Sequence, residues 1–426
     1  MRLKSERVSH LLPVLSQAAC SSTVVFVLIA ALCPFPLRAA QPLGIPYRGL
    51  QELLERPAIS GFVSCVLILT VLSVLIRTLT PPSLPVICVS FLCWFSLRGQ
   101  NLADQNILVG QWFVFLLAFM LRGKAPHAVL CILLVILTLH VTSGLILYCI
   151  GAHQFVTPGF GRRLSGLYEN PDTFYPLAIL SLAWSLTVGL SSRFTMKSLW
   201  FFLAGLSSVS IVLTFSRSAI LGLSVVYALQ SWRLSSGAGK VFMVCIACVC
   251  LLLSVFVRSP SSKFAFFSDR SARGRIAIWH YCILKIEQEP FGGFGLESFE
   301  RLSTSEPGAS LAGLGALPSE SKNLFLNVLL DLGLPGLAAL IVFAGATFKC
   351  ASLRRSMPPY PWHERALDGI VTIAMPALLV CGVFDTPLFS DASRTPGSIA
   401  FMTLAGLCVG YRYRQSLVPA GLSACP

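Results

Sequence analysis

Apolar residues run through this chain in blocks, with polar residues gathered at the breaks. The blocks fall at roughly 14–34, 58–76, 83–97, 106–121, 127–150, 173–190, 198–214, 216–232, 241–257, 324–348, 366–384 and 396–411. Most are long enough to cross about 30 Å of hydrocarbon as a helix, the third and fourth being short. Backbone groups cannot stay unpaired in lipid, so each block is expected to be helical. One long polar interval breaks the pattern, at about 259–323. It is too short for a large core of its own and is expected to pack on the bundle. The pattern therefore predicts an all-α integral membrane protein. It comprises one polytopic domain over 1–426, with about twelve transmembrane helices and one large loop.

Composition supports that class. The chain is 55% hydrophobic and 12% charged, with a mean hydropathy of +0.76, whereas soluble domains carry about 25% charged residues. The net charge of +14 reads as topology. With the N-terminus in the cytoplasm and the loops alternating, short-loop Lys and Arg favour the inside by about two to one. This orientation puts 259–323 outside, and 233–240 and 349–365 inside. It assumes that the first helix is not cleaved: Arg2, Lys4 and Arg7 precede it as in a signal peptide, but Leu37-Arg38-Ala39-Ala40 is a poor cleavage site. No basic patch with base-reading or stacking elements is visible, so nucleic acid is not an expected partner. Almost all of the fifteen cysteines lie in apolar windows, where cysteine acts as a small hydrophobe. Cys245, Cys248 and Cys250 stand at spacings that do not converge on one ion in a helix. No metal or other cofactor is expected.

Four constellations carry candidate chemistry. Thr214-Phe215-Ser216-Arg217-Ser218 joins two apolar windows almost without a linker. Arg217 then sits at or just within the membrane boundary, where an ionisable residue is costly and marks a functional site; snorkelling to lipid headgroups is the alternative. Arg270, Arg273 and Arg275 lead into Ile276, Trp279, Ile283 and Ile286, whose spacing predicts an amphipathic helix over 275–289, ended by Pro290. Arginines at a helix start suit an anion such as a diphosphate; a basic helix lying on anionic lipid is the alternative. Next, the Gly-rich stretch 290–299 reads as a turn, with Phe294 and Phe299 available to anchor it to lipid or to stack on a sugar. Finally, Glu320-Ser321-Lys322-Asn323 stands at the mouth of a helix that carries Asp331 about two turns in, with a kink expected at Gly333, Pro335 and Gly336. Asp331 and Asn323 read as structural support. Asp331 is suited to freed backbone N–H groups at the kink, or to pairing with an intramembrane Arg such as Arg217.

Taken together, GLYENPD (166–172), TFSRSA (214–219), GRIAIW (274–279), PFGGFGLESF (290–299) and SKNLFLNVLLDLGLPG (321–336) resemble the bacterial O-antigen ligase and O-antigen polymerase superfamily. The resemblance covers about 166–340. It implies a GT-C-like membrane fold with its active site on the periplasmic face of the inner membrane. It also implies an inverting, metal-independent glycosyltransferase. Such an enzyme moves a glycan from a polyprenyl diphosphate carrier to an acceptor hydroxyl, either on another glycan or on the lipid A core. Arg217 and Arg275 stand where the family's substrate-binding arginines stand, with Arg273 and Arg270 beside the latter.

The chain departs from the family at one place. Ligases carry a His-Asn pair at the mouth of this helix, and here the pair is Lys322-Asn323. Lysine is ordinarily a cation at neutral pH, so Lys322 suits a phosphate contact better than a base. Glu320 is the better carboxylate for the base. His153 and His280 also face outward, without spacing that draws them together. The departure leans the expectation toward a polymerase of O-antigen or exopolysaccharide. A transporter or flippase of lipid-linked sugars is the alternative from another class, but such proteins commonly show two similar halves, and no such repeat is seen.

Overall fold

The computed structural model describes residues 126–151, 155–157, 161–166, 171–191, 194–234, 236–256, 270–295, 298–305, 320–353 and 362–386, together with 118, 402, 404 and 405. Apart from those last single positions, the expected helices at 14–34, 58–76, 83–97, 106–121 and 396–411 lie outside the described residues. So do His153 and the loop stretches 257–269 and 306–319.

Helices dominate what is described. They are α1 (Pro126–Ile150), α2 (Pro171–Ser191), α3 (Phe194–Leu213), α4 (Arg217–Ser231), α5 (Gly237–Phe256), α6 (Arg270–Gln288), α7 (Ser298–Ser305), α8 (Leu324–Leu353) and α9 (Trp362–Gly382). One departure from an all-helical chain is a small antiparallel ribbon between α1 and α2, formed by β1 (Phe155–Thr157) and β2 (Gly161–Arg163). Seven of the expected apolar windows coincide with α1–α5, α8 and α9. Stretches in α1, α2, α3 and α8 are long and apolar enough to cross a membrane: Leu133–Ile150, Pro171–Ser191, Met196–Leu213 and Leu324–Lys349. The window at 216–232 is shorter than expected. Its helix, α4, has 15 residues, about 22 Å, and is mostly buried among its neighbours.

At the centre of the bundle stands α2, buried along nearly its whole length, with Phe174, Tyr175 and Trp184 enclosed. It packs on α1, α3, α4 and α9, and α4 in turn packs on α5 and α9. Close approach here depends on a small residue. A Cβ on Gly222 of α4 would lie 2.5 Å from Cys381 Sγ and 2.8 Å from Ile179 Cδ1. Bundles in lipid gain association from such tight contacts, since lipid tails are as apolar as the side chains. The outer surfaces of α3, α5 and α8 expose Phe202, Val209, Phe242, Leu252, Ile341 and Phe348, as a lipid-facing surface does. A second, smaller core joins α6, α7 and α8 through Ile278, Tyr281, Cys282, Phe299, Leu302 and Leu330. The amphipathic helix expected over 275–289 is therefore α6, packed on the bundle. It begins five residues early, at Arg270.

Candidate functional site

The link between α3 and α4 is three residues long: Thr214, Phe215 and Ser216. The last carbonyls of a helix need partners from outside it. Here the exit of the β-ribbon provides them: Leu164 N–H donates to the Leu213 carbonyl (2.9 Å), and Arg163 Nε–H to the Thr214 carbonyl (2.7 Å). Phe215 then reverses the chain with φ +48°, a left-handed conformation that costs a non-glycine residue about 1–3 kcal/mol. Surrounding contacts must enforce it. Ser216 stands at the N-cap of α4, its hydroxyl 2.9 Å from that of Ser218, and Arg217 is the first helical residue. Cys381 Sγ–H donates to the Ser218 carbonyl (3.1 Å), which ties this turn to the end of α9.

Several charged groups meet around the same turn. The Arg163 guanidinium lies 3.9 Å from Asp172 at the head of α2. Burial pulls the Arg163 pKa below its ordinary value; Asp172 and then Asp385 oppose that pull, while the nearby Arg275 cation adds to it. Asp385, just past α9, is buried. It accepts from Tyr175 O–H (3.3 Å) and from the Thr386 N–H (2.9 Å). Trp279 of α6 approaches Phe384, with ring centroids 6.3 Å apart. That contact brings α6, with Arg275 one turn earlier, to the end of α9.

The mouth of α8 joins the same group. Asn323 caps the helix: its Oδ1 accepts from Phe325 N–H (2.9 Å) and Leu326 N–H (3.0 Å). Its Nδ2 donates to the Val383 carbonyl (2.9 Å), and Leu324 N–H donates to the Asp385 carbonyl (3.0 Å). Immediately before the cap, Lys322 is held at φ +54°, a second left-handed non-glycine residue. Its Nζ stands 3.6 Å from Glu320 Oε2. Glu320 is buried, and the Thr386 hydroxyl donates to the same Oε2. Strained backbone of this kind gathers at functional sites, and both instances fall within motifs singled out from the sequence.

Asp331 does different work. Its Oδ1 accepts from Ser298 N–H (3.1 Å) and Ser298 O–H (2.6 Å), and its Oδ2 from Asn327 Nδ2 (3.1 Å). A carboxylate thus caps the positive end of α7 and ties α7 to α8. The freed backbone groups at the kink go elsewhere, because the Gly-rich loop docks onto them. Phe294 N–H donates to the Leu330 carbonyl (2.8 Å), Gly295 N–H to the Asp331 carbonyl (2.9 Å), and Leu334 N–H to the Pro290 carbonyl (2.8 Å). Two glycines allow this crossing. Gly293 (φ +63°) and Gly333 (φ +67°) face each other's backbones, and a Cβ on either would come within 2.5 Å of the opposing strand's carbonyl oxygen. The expectation that Phe299 is available to anchor the loop to lipid or to stack on a sugar is overturned. Phe299 is enclosed in the small core and packs edge-on against Tyr281 at 6.0 Å. Phe294 is partly buried against the same core, and the exposed ring of the loop is Phe291.

One end of the bundle therefore assembles Arg163, Arg275, Lys322, Asp172, Glu320 and Asp385, with Arg217 at the head of α4 beside the turn that Arg163 holds. Arg273 is exposed in the first turns of α6, as is His280 further along. Arg270 opens that helix. Sequence reasoning missed Arg163, Tyr175, Asp385 and Thr386. The available signal was a carboxylate directly after an apolar window, on the same side of the bundle as 320–323.

The fold and site define a membrane-embedded helical protein with a cluster of cations and buried carboxylates at one end. Residues 200–341 match the family model described as O-antigen ligase. The match runs from α3 to α8 and takes in Arg217, Arg275, Glu320, Lys322 and Asp331. That segment is about a third of the chain, and over it the protein is similar to the O-antigen ligase family. No curated protein matches the chain.

Proposed function

We propose that this protein transfers a glycan from a polyprenyl diphosphate carrier to an acceptor hydroxyl, on the periplasmic face of the inner membrane. One observation carries the reading: Arg217, Arg275 and Lys322 of the matched segment lie at the same end of the bundle as the buried carboxylates Glu320 and Asp385. In the reaction the acceptor oxygen attacks the anomeric carbon. The bond from that carbon to the diphosphate oxygen breaks, and the leaving diphosphate keeps the electron pair. Attack opposite the leaving group inverts the centre. Arg217 and Arg275 neutralise the charge that develops on the diphosphate, with Arg273 and Arg270 drawing the anion in along α6. Forked guanidinium donors match phosphate oxygens. Lys322 adds a point charge, held in place by Glu320. The acceptor proton passes to Glu320, whose carboxylate is oriented by Thr386. Asn323 and Asp331 hold the mouth of α8 and the α7 junction in register.

The lysine that stands where ligases carry histidine favours a polymerase of O-antigen or exopolysaccharide, with a second lipid-linked glycan as acceptor. Ligation to the lipid A core is the second reading, favoured by the description of the matching family. The test uses purified protein in liposomes with radiolabelled lipid-linked oligosaccharide, with and without lipid A core. Elongated glycan in the absence of lipid A core is the expected result. Product formed only when lipid A core is present would establish the ligase. Translocation of intact donor without any product would overturn the enzyme reading in favour of transport.

A further inference from the structure

The tight turn before Arg217 depends on a residue outside the segment that carries the family match. Phe215 occupies a left-handed conformation without the help of glycine. From outside the turn, Leu164 N–H holds the last α3 carbonyl, that of Leu213, and the Arg163 side chain holds the Thr214 carbonyl. Arg163 itself is mostly enclosed, with 15% of its side chain exposed, and Asp172 stands at 3.9 Å. Its Nε–H is spent on a backbone carbonyl, so one edge of its fork is committed to the protein. Arg275 is near enough to act on it as a like charge. A guanidinium mostly enclosed beside Asp172, and bonded to the turn that starts α4, is placed to control where Arg217 projects.

We propose that Arg163 is a positioning residue for donor binding: it locks the Thr214–Ser216 turn and so presents Arg217 to the diphosphate. The inference rests on the reading of Arg217 as a donor contact. It assigns a role to the β-ribbon, which otherwise has none. The ribbon places Arg163 two residues from the loop end, with Phe155 opposite it in register, and from there the side chain reaches the end of α3. Lysine cannot replace it, since a single ammonium cannot serve the Thr214 carbonyl and Asp172 with the same geometry.

The test measures transfer and donor binding with radiolabelled lipid-linked oligosaccharide, per amount of monodisperse protein. The variants are Arg163→Ala, Arg163→Lys, Arg217→Ala, the Arg163→Ala/Arg217→Ala pair, and Arg163→Ala/Phe215→Gly. Misplacing a binding group by about 1 Å costs about 100-fold in rate, and a loss of that order is expected for Arg163→Ala and Arg163→Lys. In donor binding the Arg163 and Arg217 losses should overlap, because one residue acts through the other. Glycine accepts the left-handed turn unaided, so Phe215→Gly should return about tenfold of the activity lost in Arg163→Ala. A general loss of packing would show no such recovery. If Arg217→Ala binds and transfers normally, the donor reading itself fails. If Arg217→Ala is inactive while Arg163→Ala matches wild type, the donor reading stands and the positioning role is overturned. Losses that multiply in the double variant, with no rescue by Phe215→Gly, would make Arg163 an independent anion contact and overturn it as well. Should Arg163→Ala yield no monodisperse protein, Arg163→Lys alone and combined with Phe215→Gly carries the same comparison.

Discussion

Arg217 is the first residue of α4, and Arg275 lies within reach of the Arg163 field. If both neutralise a leaving diphosphate, Arg217→Ala and Arg275→Ala should each reduce transfer by about 10²–10³-fold, the usual cost of a lost transition-state donor. Membrane insertion, read by detergent chromatography, should be unchanged. Arg→Lys should recover little, because a point charge lacks the fork. Glu320 and Lys322 make a separable pair. Glu320→Gln should depress turnover with donor binding largely kept, since the amide cannot take the proton. Lys322→Ala should weaken donor binding with a smaller effect on turnover. Lys322→Arg keeps the charge and should keep most activity. A dead Lys322→Arg enzyme that still binds donor would instead make Lys322 the base. Kinetics of the three variants on one donor decide between these.

At the scale of elements, the crossing of the Gly-rich loop and the α8 kink is the most vulnerable feature. Each glycine is at positive φ, with the opposing backbone where a Cβ would go. Gly293→Ala and Gly333→Ala should each cost about 2 kcal/mol or more, from backbone strain and the displaced loop. Loop displacement also shifts α6, so activity should fall with the thermal midpoint. The check is a melting curve beside a transfer assay. A variant that melted normally would show that the loop can dock elsewhere. Asp331→Ala belongs to the same junction. It leaves the Ser298 N–H and O–H at the head of α7 without this acceptor, and a buried group left so costs about 1–3 kcal/mol.

For the molecule as a whole, the site's face of the membrane is the decisive property. The short-loop Lys and Arg asymmetry leads to the expectation that α6 and α7 lie outside. A cysteine introduced at Ser305, the exposed end of α7, should label with an impermeant maleimide while the inner membrane stays sealed. Labelling only after that membrane is opened would reverse the orientation and remove the periplasmic reaction. The native thiol on α6 will not confuse the readout. Cys282 is buried, and burial, aided by Asp331, pushes its pKa up to about 12. Almost no thiolate, the reactive form, is then present at pH 7, and labelling at Cys282 is expected only on unfolding.

Hydrophobic periodicity alone was enough to place α1–α5, α8 and α9, because a segment in lipid must satisfy its own backbone and so declares its length in apolar residues. The kink at Gly333 was equally legible, since a glycine followed two residues on by Pro335 weakens the helix at that point. Arg217, Arg275, Glu320 and Lys322 stood out because charge is costly beside an apolar run. Local pattern could not show which of these groups meet. Only the packing of α2, α4 and α9 decided that Asp385 meets Tyr175, and that Thr386 bonds Glu320. Those contacts join residues far apart in sequence, such as Tyr175 with Asp385, through helix faces that carry no polar rhythm of their own. Likewise, the Gly-rich loop read as a turn from its own residues, and its docking into the α8 break depended on a partner about forty residues on. A chain declares where its backbone can be satisfied locally; where it cannot be, the partner is a fact of the tertiary fold.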